Sequence, residues 1–336
     1  MPEHTSYILR DEESAARPPA PVLEYCVVIP ARNAAAFIDR TLASVQAQAA
    51  PALEVVVVDD GSTDATAVIC QSRGVRVVHL SESRGPSAAR NCGVAATTAP
   101  LIAFLDADDE WLPTHTQELL RIVSLDGVAF AASDAERFGT ETGLISHGLS
   151  SRSGLELPDL LILENPIIQS AVMIRRSAFD AAGGYDESLR YSEDYDLWTR
   201  VLDVGRFCYV DAPTVRRRMH PGQLTATNRP ELVRSWSEVR RRALRMRLSS
   251  ATPVERDRIV GLLDRAASTE LDWAIWTGDR TMLDLVRSEL SLTDAQLGLG
   301  NRLARNSGPG LPIRRTWQNV RCAGRRLLNT VVRRNR

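Results

Sequence analysis

A chain of 336 residues with 44% apolar side chains can house a large α/β domain plus an appendage and fill a real core, which excludes disorder for the chain as a whole. The formal charge of −1 hides an uneven distribution, because acids crowd the middle and no acid follows Asp294 in an arginine-rich C-terminus. All 41 basic residues other than histidine are arginine, so chemistry that needs a phosphate-loop lysine, a Schiff-base lysine or the lysine of sugar-nucleotide pyrophosphorylases is excluded.

Residues 1–24 read as a flexible polar tail, broken by Pro18, Pro19 and Pro21 and lacking the basic start and apolar run of a secretory signal. From Tyr25 onward, short β-branched runs alternate with helix-like spacing. Strands are expected at Tyr25–Ile29, Glu54–Val58, Val75–His79, Leu101–Phe104 and Val128–Ser133. Helices are expected at Ala34–Gln48, Asp64–Ser72, Gly85–Ala96 and Pro113–Leu125. This is the rhythm of a doubly wound α/β sheet, mostly parallel, in which ligands lie beyond the carboxyl ends of the strands. Gly139 to Gly154 reads as a loop or hairpin, and after Pro230 the pattern turns helical and arginine-rich, so residues 229–336 are set apart as a C-terminal region.

The residues just after the strands are acidic. The second strand runs into VVVVDDGSTDAT, where Asp59 and Asp60 leave a buried run, placed to hydrogen-bond a nucleotide base or ribose; Asp60 or Asp64 could equally cap the next helix. Arg84 and Arg90 flank a Gly-Pro-Ser turn opening a helix near Ser87, where backbone N–H groups and guanidinium donors could meet an anion such as a diphosphate, or tie loops together. The fourth strand ends in LIAFLDADDEWLP. Asp106, Asp108 and Asp109 repel one another there, and hard Mg²⁺ or Mn²⁺, bridging to diphosphate oxygens, is the natural counter-charge. Further on, YSEDYDLWTRV puts Glu193, Asp194 and Asp196 at the start of a helix with Ser192 as its cap and Leu197, Trp198, Val201 and Leu202 on its apolar face.

Four segments occur in order: VVIPARNAAAFIDRTLASVQAQ, VVVVDDGSTDAT, RGPSAARNCGVAATTAPLIAFLDADDEW and GGYDESLRYSEDYDLWTRV. Together they resemble glycosyltransferase family 2, over roughly Tyr25 to Thr225 and not over the C-terminal third. The resemblance implies a GT-A-type doubly wound mixed sheet flanked by helices at residues 25–228, followed by a mainly helical C-terminal region. It implies that Pro30, Arg32, Asp60, Arg84 and Asp106 line a nucleotide-sugar pocket, that Asp106 and Asp108 match a metal-binding DxD, and that Asp194 matches the base that deprotonates an acceptor hydroxyl. His220, after three arginines and before Pro-Gly, stands where some relatives place a histidine near metal or diphosphate. Gly184 and Tyr185 match the acceptor-side turn, to which Glu193 and Trp198 of the following helix are added.

The activity so implied is inverting transfer of a sugar from a nucleotide-diphosphate sugar, a UDP-sugar first, to a hydroxyl of a glycan, lipid-linked or other acceptor, with Mn²⁺ or Mg²⁺. The alternative is a non-catalytic nucleotide-sugar-binding or partner-binding protein on the same fold. Nothing points to nucleic acid. Five widely spaced cysteines (Cys26, Cys70, Cys92, Cys208, Cys322) without a CxxC suggest neither disulfides nor zinc and suit a reducing cytoplasm. No apolar run reaches the roughly 18 residues of a membrane-spanning helix. The amphipathic basic stripe within residues 312–336 would either pack with its arginines solvated or touch an anionic inner membrane face.

Overall fold

The computed structural model describes residues 7–9, 23–145, 157–163, 165–223, 229–252, 254–255 and 258–259. They fall in one compact unit, residues 1–262; residues 263–336 form a second unit, and the 312–336 stripe lies outside the described residues.

The central strands are the ones whose sequence is apolar on both faces. β2 (Tyr25–Ala31) and β3 (Glu54–Asp59) pair in parallel, Val28 opposite Val56, and β4 (Arg76–His79) continues that half. β5 (Leu101–Phe104) pairs in parallel on the other side of β2. The chain thus steps outward from β2 to β4 and returns to β5 across it, so the strand order reverses between β2 and β5. Crevices for ligands open at the carboxyl ends beside such a reversal.

The sheet is mixed and mostly parallel, as expected, with antiparallel ladders where β9 enters it. Its order is β1-β10-β7-β9-β5-β2-β3-β4, with β9 (Val172–Arg175) antiparallel to both β5 and β7 (Val128–Gly139). β9 arrives from a short 3₁₀ turn at Gln169–Ala171 rather than through a crossover helix, which is why it can run against its neighbours. β10 (Arg206–Met219) runs parallel to β7 for its whole length, with register irregularities around Pro213, and pairs antiparallel with the two-residue β6 (Glu110–Trp111). β8 (Gly143–Ile145) folds back on β7 in a hairpin, one of the two readings of the Gly139–Gly154 stretch. Tyr7–Leu9, inside the stretch expected to be a tail, forms β1 and pairs in parallel with Cys208–Val210 of β10.

Two apolar layers cover the sheet. On one face α1 (Ile38–Gln46) and α4 (His115–Val123) bury Ile38, Leu42, Leu119 and Ile122; α2 (Thr66–Ser72) adds Cys70 beside Val57. On the other, α3 (Pro86–Ala95), α5 (Leu157–Leu163), α6 (Arg176–Ala181) and α7 (Glu193–Val201) bury Val94, Leu161, Phe179 and Trp198 against Val28, Phe104 and Phe130. Gly93 lets α3 approach the sheet closely, since a Cβ there would lie 2.4 Å from a methyl of Val28. α8 (Arg229–Ser250) packs along α7 and α5 and so belongs to the first unit, not to a separate C-terminal region. Among the described residues no helix is long and apolar enough to cross a membrane.

Candidate active site

A cleft of about 1010 Å³ opens above the carboxyl ends of β2, β3 and β5 and extends to the start of α7. Its first wall is nucleated by Asp60. The buried carboxylate accepts the N–H of Arg84 at 2.7 Å, the N–H of Gly85 at 3.0 Å and the Ser83 hydroxyl at 2.8 Å. Gly85 has φ +89, a backbone state suited to glycine, and it stands just before α3. The backbone N–H groups of Arg84 and Gly85 are therefore turned onto Asp60, which fixes the loop ahead of α3. Asp59 accepts the Ser62 N–H at 3.0 Å and lies 3.2 Å from His79, while Asp64 holds Thr66 and the Ala35 N–H. Asp64 thus ties the start of α2 to the loop after β2, although the N-cap position itself is Ala65 and carries no side-chain cap.

The acidic turn after β5 is held from below. Thr41 of α1 donates to the carbonyls of Ala107 and Asp109, and Ser170 donates to Asp109 at 2.6 Å and accepts the Asp106 N–H. Asp109 is buried and also accepts the Arg218 N–H at 2.8 Å; burial first, then Asp108 and Asp106, push its carboxyl well above the usual range. The strand ends at Phe104, so Asp106 and Asp108 do not share one pleat face. Asp106 faces Arg90 at 2.8 Å, whereas Asp108 reaches His220 Nε2 at 2.9 Å. Burial and the neighbouring Asp106 raise the Asp108 pKa, and the imidazole works against that rise. Phe37 packs against the His220 ring at 4.7 Å.

Arg90 joins the two ends of the cleft. It is 4% exposed, with one guanidinium nitrogen on Asp106 and the other 2.7 Å from Glu193, and its charge lies 5.4 Å over the Tyr185 ring. Burial alone would lower its pKa, but Asp106 and Glu193 reverse the sign and lock the charge on. Beside Glu193, Asp194 accepts the Tyr195 N–H at 2.7 Å and an Asn165 amide hydrogen at 3.2 Å. Burial, then the Glu193 charge, raises its pKa to about 7; the Tyr195 N–H and Arg90 oppose this, and Asp106 adds to it. A carboxylate tuned there is partly ionised near neutrality and basic enough to accept a proton.

Pro30, Arg32, Asp60, Arg84, Asp106, Asp108, Glu193, Asp194 and His220 all line this one cleft. Arg84 is exposed and paired with Glu187 at 2.8 Å. Arg32, Arg190 and Arg217 line the cleft with no carboxylate partner among the described residues. Three expected acceptor-side residues lie behind the wall. Trp198 is fully buried and stacks on Phe130 at 5.5 Å, because it sits on the core face of α7. Tyr185 is buried with its hydroxyl on Gln169, and Gly184, φ +68, faces Asn91 and Phe179. Ser192 makes no side-chain cap; its backbone is left-handed, φ 59, and turns the chain into α7. Sequence patterns gave no hint of Asn165, Arg190 or Tyr191, nor of Leu232 and Trp236 from α8, which complete the far wall. Among the described residues no three of His, Cys, Asp and Glu converge as a ready-made metal cage.

Residues 26–183 match the family model described as Glycosyl transferase family 2. The succinoglycan biosynthesis protein ExoU of Rhizobium meliloti is 37% identical over 201 residues, covering 54% of this chain and 58% of that protein. An Escherichia coli protein, UDP-Glc:alpha-D-GlcNAc-diphosphoundecaprenol beta-1,3-glucosyltransferase WfaP, is 26% identical over 62% of this chain and 82% of its own length. Among solved structures, residues 1–349 of S. aureus TarS in complex with UDP-GlcNAc share the fold, with a TM-score of 0.59 at 18% identity over 74% of this chain and 73% of that one. The chain spans between 44% and 65% of the length of three curated relatives, ExoU among them. Residues 26–183 thus carry a glycosyltransferase family 2 segment, on a mixed sheet whose fold is shared with the TarS structure.

Proposed function

We propose that this chain transfers a sugar from a nucleotide-diphosphate sugar, a UDP-sugar first, to a hydroxyl of a glycan or lipid-linked acceptor, with inversion at the anomeric carbon. The observation that carries the reading is the placement of Asp194, its pKa raised to about 7, in the same cleft as the strand-end residues Asp60, Asp106 and Asp108. The UDP-GlcNAc complex of TarS, which shares the fold, and the UDP-Glc donor of the Escherichia coli glucosyltransferase WfaP support the nucleotide.

In the proposed step Asp194 takes the acceptor O–H proton, and the acceptor oxygen attacks the anomeric carbon. The bond from that carbon to the diphosphate breaks, and its electron pair leaves with the nucleoside diphosphate. A single displacement inverts the centre. Arg32 and Arg217, both without a carboxylate partner among the described residues, are positioned to meet the charge gathering on the leaving group.

Asp108 and His220, 2.9 Å apart, with Asp106 on the turn that carries Asp108, would hold a divalent ion, Mn²⁺ or Mg²⁺. Such an ion would neutralise diphosphate charge.

A thermal-shift panel of UDP-, GDP-, CMP- and dTDP-sugars, with and without Mn²⁺, tests the reading. A metal-dependent rise in Tm with a UDP-sugar is expected. No rise with any nucleotide sugar would overturn it.

A further inference from the structure

Where β10 runs beside β7, three consecutive arginines meet three consecutive residues in register: Arg216 opposite Glu136, Arg217 opposite Arg137 and Arg218 opposite Phe138. The outer two are compensated. Arg216 lies 3.1 Å from Glu136 and 3.0 Å from Glu110, while Arg218 lies 2.6 Å from Glu110 with its charge 4.3 Å over the Phe138 ring. The middle pair sets cation against cation. In-register residues project from the same side of a sheet, here from strands about 4.8 Å apart.

Nothing around the pair offsets its charge. The neighbours two residues away on the two strands are Ala135, Gly139, Val215 and Met219, and the residue opposite Arg137 on β8 is Gly143. None of them can carry a negative charge. Glu141, in the hairpin turn, is exposed and forms no ion pair with either arginine, and neither arginine has a carboxylate partner among the described residues. Both are half-buried, so water screens their repulsion only in part. Like charges in register weaken a sheet, and an anion between them turns that cost into attraction. Two guanidinium groups offer the forked N–H donors that carboxylate and phosphate oxygens accept in pairs. Arg217 lines the cleft, which places the pair at the edge of the space where substrates would lie.

We propose that Arg137 and Arg217 form an oxyanion subsite at the rim of the cleft, which takes a carboxylate or phosphate carried by a sugar substrate. This rests on the transferase reading and adds a substrate class to it. The chain selects an acidic donor sugar or a phosphorylated acceptor over a neutral one.

The test reads apparent Kd by thermal-shift titration of the full chain with Mg²⁺, in two arms. The donor arm compares UDP-glucuronate with UDP-glucose. The acceptor arm adds glucose 1-phosphate or methyl β-D-glucoside to protein already saturated with UDP. In at least one arm the anionic probe is expected to bind about tenfold more tightly than the neutral one, and that arm identifies which substrate brings the anion. Arg137→Gln is expected to bring the ratio to within about twofold of unity. The same substitution should raise the Tm of the ligand-free protein by about 1–3 °C, because the like-charge contact is gone. Arg137→Lys, which keeps a charge without the fork, is expected to retain part of the preference. No preference for the anion in either arm, a preference that survives Arg137→Gln, or a ligand-free Tm lowered by that substitution would overturn the subsite. Failure of UDP and both UDP-sugars to shift the wild-type Tm would instead strike the transferase reading beneath it.

Discussion

At the strand-end wall of the cleft, Asp60 accepts three hydrogen bonds and Asp109 two, and neither depends on a ligand to be satisfied. At the other wall, Asp194 accepts one backbone N–H and one long amide contact, and its pKa is lifted to about 7. The first wall is a rigid cradle whose carboxylates organise the protein itself. The second keeps a carboxylate under-satisfied, which is costly to the fold and useful to a base. Arg90 lies between them with one nitrogen on each side, so the two walls differ in chemistry while sharing a single buried charge.

The largest expected effect breaks the second wall alone. Asp194→Asn is expected to cut kcat by about 10²–10⁴-fold, the usual worth of a general base, while donor-induced Tm shifts persist. Steady-state rates beside a thermal-shift titration check this, and full activity in the variant would remove Asp194 from the mechanism. The pH profile sharpens the same point. A raised carboxyl pKa means the base is protonated below about pH 7, so kcat/KM should rise through an apparent pKa near 7 and fall about tenfold per unit below it. The groups facing Asp194 are Glu193, Arg90, Asp106, Asn165 and the Tyr195 N–H; Glu193→Gln, by removing the neighbouring negative charge, should shift the profile to lower pH.

Breaking the link between the walls comes next. Arg90→Met leaves Glu193 buried without its cation and Asp106 without its partner. The expected loss is about 3 kcal/mol of stability, the lower end for a broken buried pair because Asp106 keeps partial contact with water. Denaturant unfolding measures it. A change of well under about 1 kcal/mol would show that the two carboxylates find other partners.

The contrast also explains what was legible in the sequence. Asp60, Asp106 and Asp108 follow uninterrupted apolar strands, where position in the chain and position in space coincide, and the structure gathers them in one cleft. The helices α1 to α4 fall within the expected spans, trimmed at their starts where residues 35–37 form turns before Ile38. The far wall follows a different logic. Leu232 and Trp236 lie some 40 residues beyond Asp194 and reach it only because α8 packs on α7, so no local spacing announces them. Trp198 shows the converse error. Adjacency in sequence to the acid cluster suggested a site residue, but the helical period turns it to the core. β9 and β10 escaped the strand reading because one is short and follows a 3₁₀ turn and the other carries Pro213 and three consecutive arginines.

A smaller effect is expected at the first wall. Asp60→Asn keeps one acceptor but turns an amide N–H₂ toward donors, so at least one bond to the Ser83–Gly85 loop is lost. About 1.5–3 kcal/mol is the scale for a hydrogen bond to a charged group. Stability and UDP-sugar affinity should fall together while the pH profile of turnover stays put. Separate movement of these quantities would mean that Asp60 serves the ligand and not the loop.

The smallest effect concerns how Asp194 is aimed. Ser192 enters α7 with φ 59 and ψ 22, and its hydroxyl makes no capping bond, so the left-handed backbone is what turns the acidic residues toward the cleft. If only the backbone matters, Ser192→Gly should leave kcat within about twofold. Relief of the side-chain strain should nearly offset the added freedom of the unfolded chain, keeping stability within about 1 kcal/mol. Ser192→Val should be less stable than either, because a branched side chain tolerates this region poorly. A large loss of kcat in a stable Ser192→Gly would shift the role from backbone to hydroxyl, and would make the second wall's chemistry depend on a group that contacts Asp194 only once substrate is bound.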